Sequence, residues 1–124
     1  MKSLKLAIVM VALGALSLTA APANAIPAPV NVVALPNGTT TGFAPTVLAI
    51  AKGTAVDVVG ADVQVHNLAC AKRDRKRRPL CLSRTAGLGE SQPVKGIEKL
   101  KPGSYSLLCT LHPQMKVELT VVGA

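Results

Sequence analysis

Tyr105-Ser-Leu-Leu-Cys109-Thr-Leu-His112-Pro-Gln-Met115-Lys-Val-Glu-Leu-Thr-Val-Val122 decides how this chain is read. It divides into a strand, a tight loop and a second strand. In the first, Tyr105, Leu107 and Cys109 point to one face, and Ser104, Ser106 and Leu108 to the other. In the second, Val117, Leu119 and Val121 alternate with Glu118 and Thr120. The loop between them carries Cys109, His112 and Met115 at a spacing of three. Pro113 fixes the backbone there and cannot extend a strand. A short turn of this kind can wrap a single ion from three sides. Upstream, Val63-Gln-Val-His66 alternates and is predicted to deliver His66 to the end of another strand.

The donor chemistry is selective. A thiolate is soft, an imidazole suits several first-row metals, and a thioether is a weak, long ligand. Two His and one Cys in a plane with a distant Met form the arrangement that suits copper. Tetrahedral zinc sites draw on Cys, His and carboxylates, so Met115 argues against structural zinc. The chain has 2 His in all, so His66 is the one candidate for the remaining planar position. Taken singly, His66 reads as a half-buried polar residue, Met115 as core filler and Cys109 as a small hydrophobe. The loop context outweighs these readings.

At these residues the chain resembles the cupredoxins. Cys-Thr-Leu-His-Pro-Gln-Met, preceded by Lys101-Pro102-Gly103-Ser104-Tyr105, is similar to their copper loop, with the short amicyanin-like spacing. His66-Asn67 resembles the first ligand and the residue after it. Gly42-Phe43-Ala44-Pro45 and Ala51-Lys52-Gly53-Thr54 resemble the strand region leading there. The resemblance covers most of the chain after residue 40. It implies an all-β, Greek-key β-sandwich, cupredoxin-like, with one type 1 copper held by His66, Cys109, His112 and Met115. It further implies that Asn67 ties the two ligand loops together and that electrons pass through an apolar patch around His112. Leu111 and Pro113 are the residues placed to supply that patch. The chain departs from the resemblance in its few aromatics and in a charged insert after His66.

The N-terminus reads as an export signal. Lys2 and Lys5 precede an apolar run from Leu6 to Ala21, Pro22 ends it, and Ala23-Asn24-Ala25 fits the small-x-small cleavage rule. The expected organisation is a signal peptide over 1–25 and a cupredoxin-like domain over 26–124, periplasmic or extracellular. Cleavage removes two lysines from a formal net charge of +8. With one Phe, one Tyr and no Trp, the core must be built from Val, Leu, Ile and Ala. Short strands are expected at Pro29–Leu35, Thr46–Ala51 and Ala55–Val59. Turn signals such as Pro36-Asn37-Gly38 separate them, and no helical period is sustained.

Residues 70–81, Cys70-Ala-Lys-Arg-Asp-Arg-Lys-Arg-Arg-Pro-Leu-Cys81, stand apart. If Cys109 binds copper, Cys70 and Cys81 remain as a pair. Export favours a disulfide, which would add about 2–3 kcal/mol by restricting the unfolded chain. The rival reading is a second, softer metal site. The basic residues Lys72, Arg73, Arg75, Lys76, Arg77 and Arg78 form either a solvated loop or a docking patch. Such a patch would suit an acidic redox partner or an anionic membrane surface. Nucleic acid is not expected of an exported chain. Because His66 and Cys70 are four residues apart, the loop is expected near the copper end.

The functional expectation is a monomer that carries single electrons and performs no bond-making chemistry. An envelope copper-delivery protein and an interaction domain acting through the basic loop are the alternatives. A multicopper oxidase would need more His and more domains.

Overall fold

The computed structural model describes residues 27–37 and 42–123. The expected signal segment over 1–25 and Gly38 of the Pro36-Asn37-Gly38 turn lie outside the described residues. The strands are β1 (Val30–Ala34), β2 (Phe43–Ala44), β3 (Val47–Ala51), β4 (Val56–Gly60), β5 (Ala69–Cys70), β6 (Leu82–Ser83), β7 (Ser91–Lys95), β8 (Gly103–Leu108) and β9 (Lys116–Val122). A single 3₁₀ turn, Ile97–Lys99, follows β7.

The strand order is β2-β1-β4-β7-β6-β5-β8-β9-β3. Most pairs are antiparallel, but β1 runs parallel to β4 and β3 parallel to β9. The sheet curls at β7. Ser91 to Pro93 pair with β4, whereas Val94 and Lys95 pair with β6. Pro93 stands at the changeover, where a residue without an amide hydrogen costs least. The result is an all-β fold in which one nine-stranded sheet curls on itself into two facing layers.

Alternation accounts for the layers. β4 buries Val56, Val58 and Gly60, and β9 buries Val117, Leu119 and Val121 while exposing the residues between them. The valines and leucine among them join Val32, Phe43, Leu68, Ile97 and Leu107 in one core. Among the described residues Phe43 is the one Phe, Tyr or Trp fully buried in it, and Tyr105 packs against it partly buried.

Two expectations are corrected. Val63–His66 is not a strand. Val63 is 83% exposed and Val65 47% exposed, so their alternation faces solvent rather than core. His66 is instead fixed by an isolated bridge to Ala86, in which each backbone amide donates to the other's carbonyl. The basic loop does not reach out beside the copper end either. Its base is there, but β5 runs antiparallel to β8, with Ala69 opposite Leu108 and Cys70 opposite Leu107. Ala71 N then donates to Ser106 O, and Lys72 lies over the Tyr105 ring. Each step leads away from Cys109.

Cys70 and Cys81 form a disulfide, with their Cα atoms 5.0 Å apart, and not a second metal site. The bridge closes the base of a hairpin over residues 71–80.

Gly60 ends β4 beneath the Ala86–Gly87 segment. A Cβ at Gly60 would run into the Gly87 carbonyl. The same glycine donates to Glu90 O and accepts from Gly89 N. We expect Gly60→Ala to destabilise the protein by about 1–3 kcal/mol, through overpacking of a segment that carries His66's bridge partner. Denaturant midpoints of the two proteins test this, and equal midpoints would contradict it.

Candidate metal centre

Cys109 follows β8 directly and continues its inward face, so its thiol is fully buried. The loop after it is closed by its own backbone: Met115 N donates to His112 O at 2.9 Å, and Cys109 N donates to Met115 O at 3.1 Å. That closure turns the His112 ring back over Cys109. Met115 is buried at the foot of the loop, where β9 begins.

His66 arrives from the other side of the sequence. Its ring is fully buried, and Nε2 lies 2.7 Å from Asp62 Oδ2. An ionised carboxylate only accepts hydrogen bonds. In the neutral ring the proton therefore sits on Nε2, and Nδ1 is left with a free lone pair. That Nδ1 faces His112 Nδ1 at 3.0 Å and Cys109 Sγ at 3.9 Å. The third side, from Cys109 Sγ to His112 Nδ1, is 3.7 Å.

These three distances test whether an ion fits. A circle through three points with those separations has a radius of about 2.1 Å, close to the bond lengths that imidazole and thiolate make to a first-row ion. A metal at its centre would touch all three donors without moving any of them. Two imidazoles and one thiolate in a plane, with a buried Met at the end of the same loop, fit a single type 1 copper. His112 is the one of the three that is partly exposed.

The two ligand segments are clasped together. Asn67 Oδ1 accepts from Thr110 N at 2.8 Å and from Thr110 Oγ1 at 3.1 Å, while Asn67 Nδ2 donates to Thr110 Oγ1 at 2.8 Å. Asn67 immediately follows one ligand, and Thr110 immediately follows another. Asn67 was expected to play this part. Thr110 and Asp62 were not foreseen. The sequence hint for Asp62 is only its place four residues before a histidine.

The candidate docking residues separate into two groups. Leu111 is 51% exposed and Pro113 is exposed, on either side of His112. Val63, Val65 and Leu88 are also exposed near the site: Val65 precedes His66, and Leu88 lies two residues beyond its bridge partner. Neither 63–68 nor 110–114 contains a charged residue.

Lys72, Arg73, Arg75, Lys76, Arg77 and Arg78 are all exposed on the hairpin. Asp74 organises its tip. One carboxylate oxygen accepts from the Lys76 and Arg78 amides at 2.8 and 3.0 Å, and the other from Arg78 Nε at 3.1 Å. The Arg78 amide foremost, then the Lys76 amide and the Arg78 side chain, hold the Asp74 carboxyl below its ordinary range.

Solved structures resemble the chain as follows. A purple cupredoxin from Nitrosopumilus maritimus is similar at 21% identity over 75% of this chain and 99% of that one, with a TM-score of 0.61. A mutant of amicyanin in the Cu(I) state is similar at 15% identity over 81% of this chain and 88% of its own, with a TM-score of 0.60. A copper-containing nitrite reductase from Thermus scotoductus SA-01 is similar at 29% identity over 83% of this chain, with a TM-score of 0.61. This chain spans only 24% of that reductase. No protein-family model matches the sequence, and no curated protein matches it. The fold is the cupredoxin fold, and the donor set set into it is of the type 1 copper kind.

Asp62 holds His66 in register by its second ring nitrogen. Losing such a partner typically lowers metal affinity 10–100-fold, roughly the loss we expect for Asp62→Ala in a copper competition titration. Unchanged affinity would show that the buried Ala86 bridge alone positions the ring.

Proposed function

We propose that the protein is a small exported blue copper protein that passes single electrons between redox partners. The observation that carries this reading is the His66–Cys109–His112 triangle, which is complete in the plane and exposes one ligand edge. Bound copper supplies a one-electron couple, Cu(I)/Cu(II), and the chain's residues determine how that couple is used.

Cys109 provides the soft, buried donor at the end of β8. His66, locked by Asp62 and by its backbone bridge, cannot swing out. His112 provides the edge through which electrons enter and leave. Leu111 and Pro113 beside it, with Val63, Val65 and Leu88 nearby, offer an uncharged apolar surface for a transient protein contact. Met115, buried at the foot of the loop, is the axial ligand of this reading. Donors already held near their bonding positions lower the reorganisation that accompanies each change of oxidation state. That favours a carrier over a delivery protein, which must release its metal.

Bond-making chemistry is not part of this reading, because both of the chain's His are taken up as ligands. Export is supported by the leader pattern over 1–25 and by the Cys70–Cys81 disulfide, which persists in oxidising compartments. Periplasm and cell exterior both meet that condition. The protein acts as a monomer and meets its redox partner through the apolar end.

Adding Cu(II) to the mature chain should give an intense visible band from thiolate-to-copper charge transfer, and Cys109→Ser should abolish it. Met115→Leu should keep the band and raise the reduction potential, since a weak donor to Cu(II) is lost. A weak tetragonal-type spectrum in the parent would refute the site. An unchanged potential in the Met115 variant would remove that residue from the axial role.

A further inference from the structure

The hairpin over 71–80 is unused by the metal centre. Six of the seven residues from Lys72 to Arg78 are basic, and all six are exposed. The seventh, Asp74, turns its carboxylate inward onto the Lys76 and Arg78 amides. Arg73 Nη1 also donates to the Arg77 carbonyl, and Leu80 N to the Lys72 carbonyl. With the Cys70–Cys81 bridge at its base, the hairpin presents its cations from an ordered backbone.

Its direction bears on what it meets. Lys72 packs over Tyr105, which is four residues of extended strand from Cys109, or about 13 Å. Arg73 then bridges to Pro79, so the tip is reached only after the chain has passed Tyr105. A redox protein docked on the tip would therefore sit away from His112, the partly exposed ligand.

The same region holds more positive charge. A cavity of about 330 Å³ beside the hairpin is lined by Lys72, Leu80, Lys99, Leu100, Lys101 and Tyr105. Glu98, exposed in the 3₁₀ turn, is the one acidic side chain among residues 95–101. Among residues 71–80 there is no exposed large hydrophobic residue. Protein interfaces concentrate their energy in aromatic, apolar and arginine anchors packed into desolvated centres, and of these the tip offers only solvent-exposed arginines with no apolar surface around them. Diffuse clusters of four to eight Lys and Arg are what anionic lipid headgroups attract.

The geometry points to a peripheral membrane-docking surface: the 71–80 hairpin, with Lys99 and Lys101, binds the phosphate-bearing face of an anionic phospholipid bilayer. The lysine-lined cavity is of a size to seat a headgroup phosphate. Held this way, the protein would keep its apolar copper end free for a redox partner. The inference extends the carrier reading but does not require it, because the binding assay needs no copper.

The test is flotation of the mature chain with vesicles of phosphatidylcholine alone and of phosphatidylcholine with roughly one-third phosphatidylglycerol, at low salt. Partitioning should be at least about tenfold greater on the anionic vesicles and should collapse on the order of 0.5 M salt. The triple variant Arg75→Gln, Lys76→Gln, Arg77→Gln keeps Asp74 and Arg78 and should lose that preference. Its denaturant midpoint, matched to the parent's, shows that the loss is not unfolding. Equal partitioning on the two vesicle types, or full binding by the triple variant, would overturn the assignment. Capture by polyglutamate with no vesicle binding would overturn it in favour of an acidic protein.

Discussion

The metal centre depends on one clasp, the three hydrogen bonds between Asn67 and Thr110. They join residues 43 positions apart in sequence, and each is adjacent to a ligand. A metal site assembled from two distant segments must first overcome the entropy of bringing them together. Here the clasp and the neighbouring β5–β8 pairing do so before any ion is involved. A net contribution of about 1 kcal/mol per hydrogen bond is modest against global stability, but it is concentrated where a small displacement would open the donor triangle.

The rest of the fold supports that junction from both sides. β8 and β9 hold the two ends of the Cys109–Met115 loop at fixed separation. Asp62 and Ala86 hold His66 by its ring and its backbone respectively. The chain then separates its surfaces. The segments 63–68 and 110–114 beside His66 and His112 carry no charged side chain, whereas a dense run of positive charge is carried off along β8 by the disulfide-bound hairpin. A partner that must approach His112 closely meets little charge to desolvate, and the cationic hairpin remains available to a different surface.

Much of this was legible in the chain itself. The Cys109–Met115 loop could be read because three donors fall in one turn, and the strand after it has a clean period of two. The pairing of Cys70 with Cys81 could be read because a third thiol had a better use. Four features could not be read. The alternation of Val63 and Val65 matches a buried strand, but periodicity does not say which face meets the core, and here both valines meet water. β5 and β6 are two residues each, too short to show any period. The hairpin's direction follows from the register of β5 on β8, a non-local pairing that a count of four residues between His66 and Cys70 does not encode. Asp62 belongs with these, since a carboxylate four residues from a histidine is common and acquires meaning only once the ring is turned toward it.

The central claim is that the protein holds its donors in place before the ion arrives. Crystal structures of the metal-free and copper-loaded protein test it most directly. The account predicts that His66 Nδ1, His112 Nδ1 and Cys109 Sγ shift by no more than about 0.5 Å, with the Asn67–Thr110 bonds intact in both. A metal-free structure in which His112 swings out, or in which the Asn67–Thr110 bonds form only with copper, would contradict it.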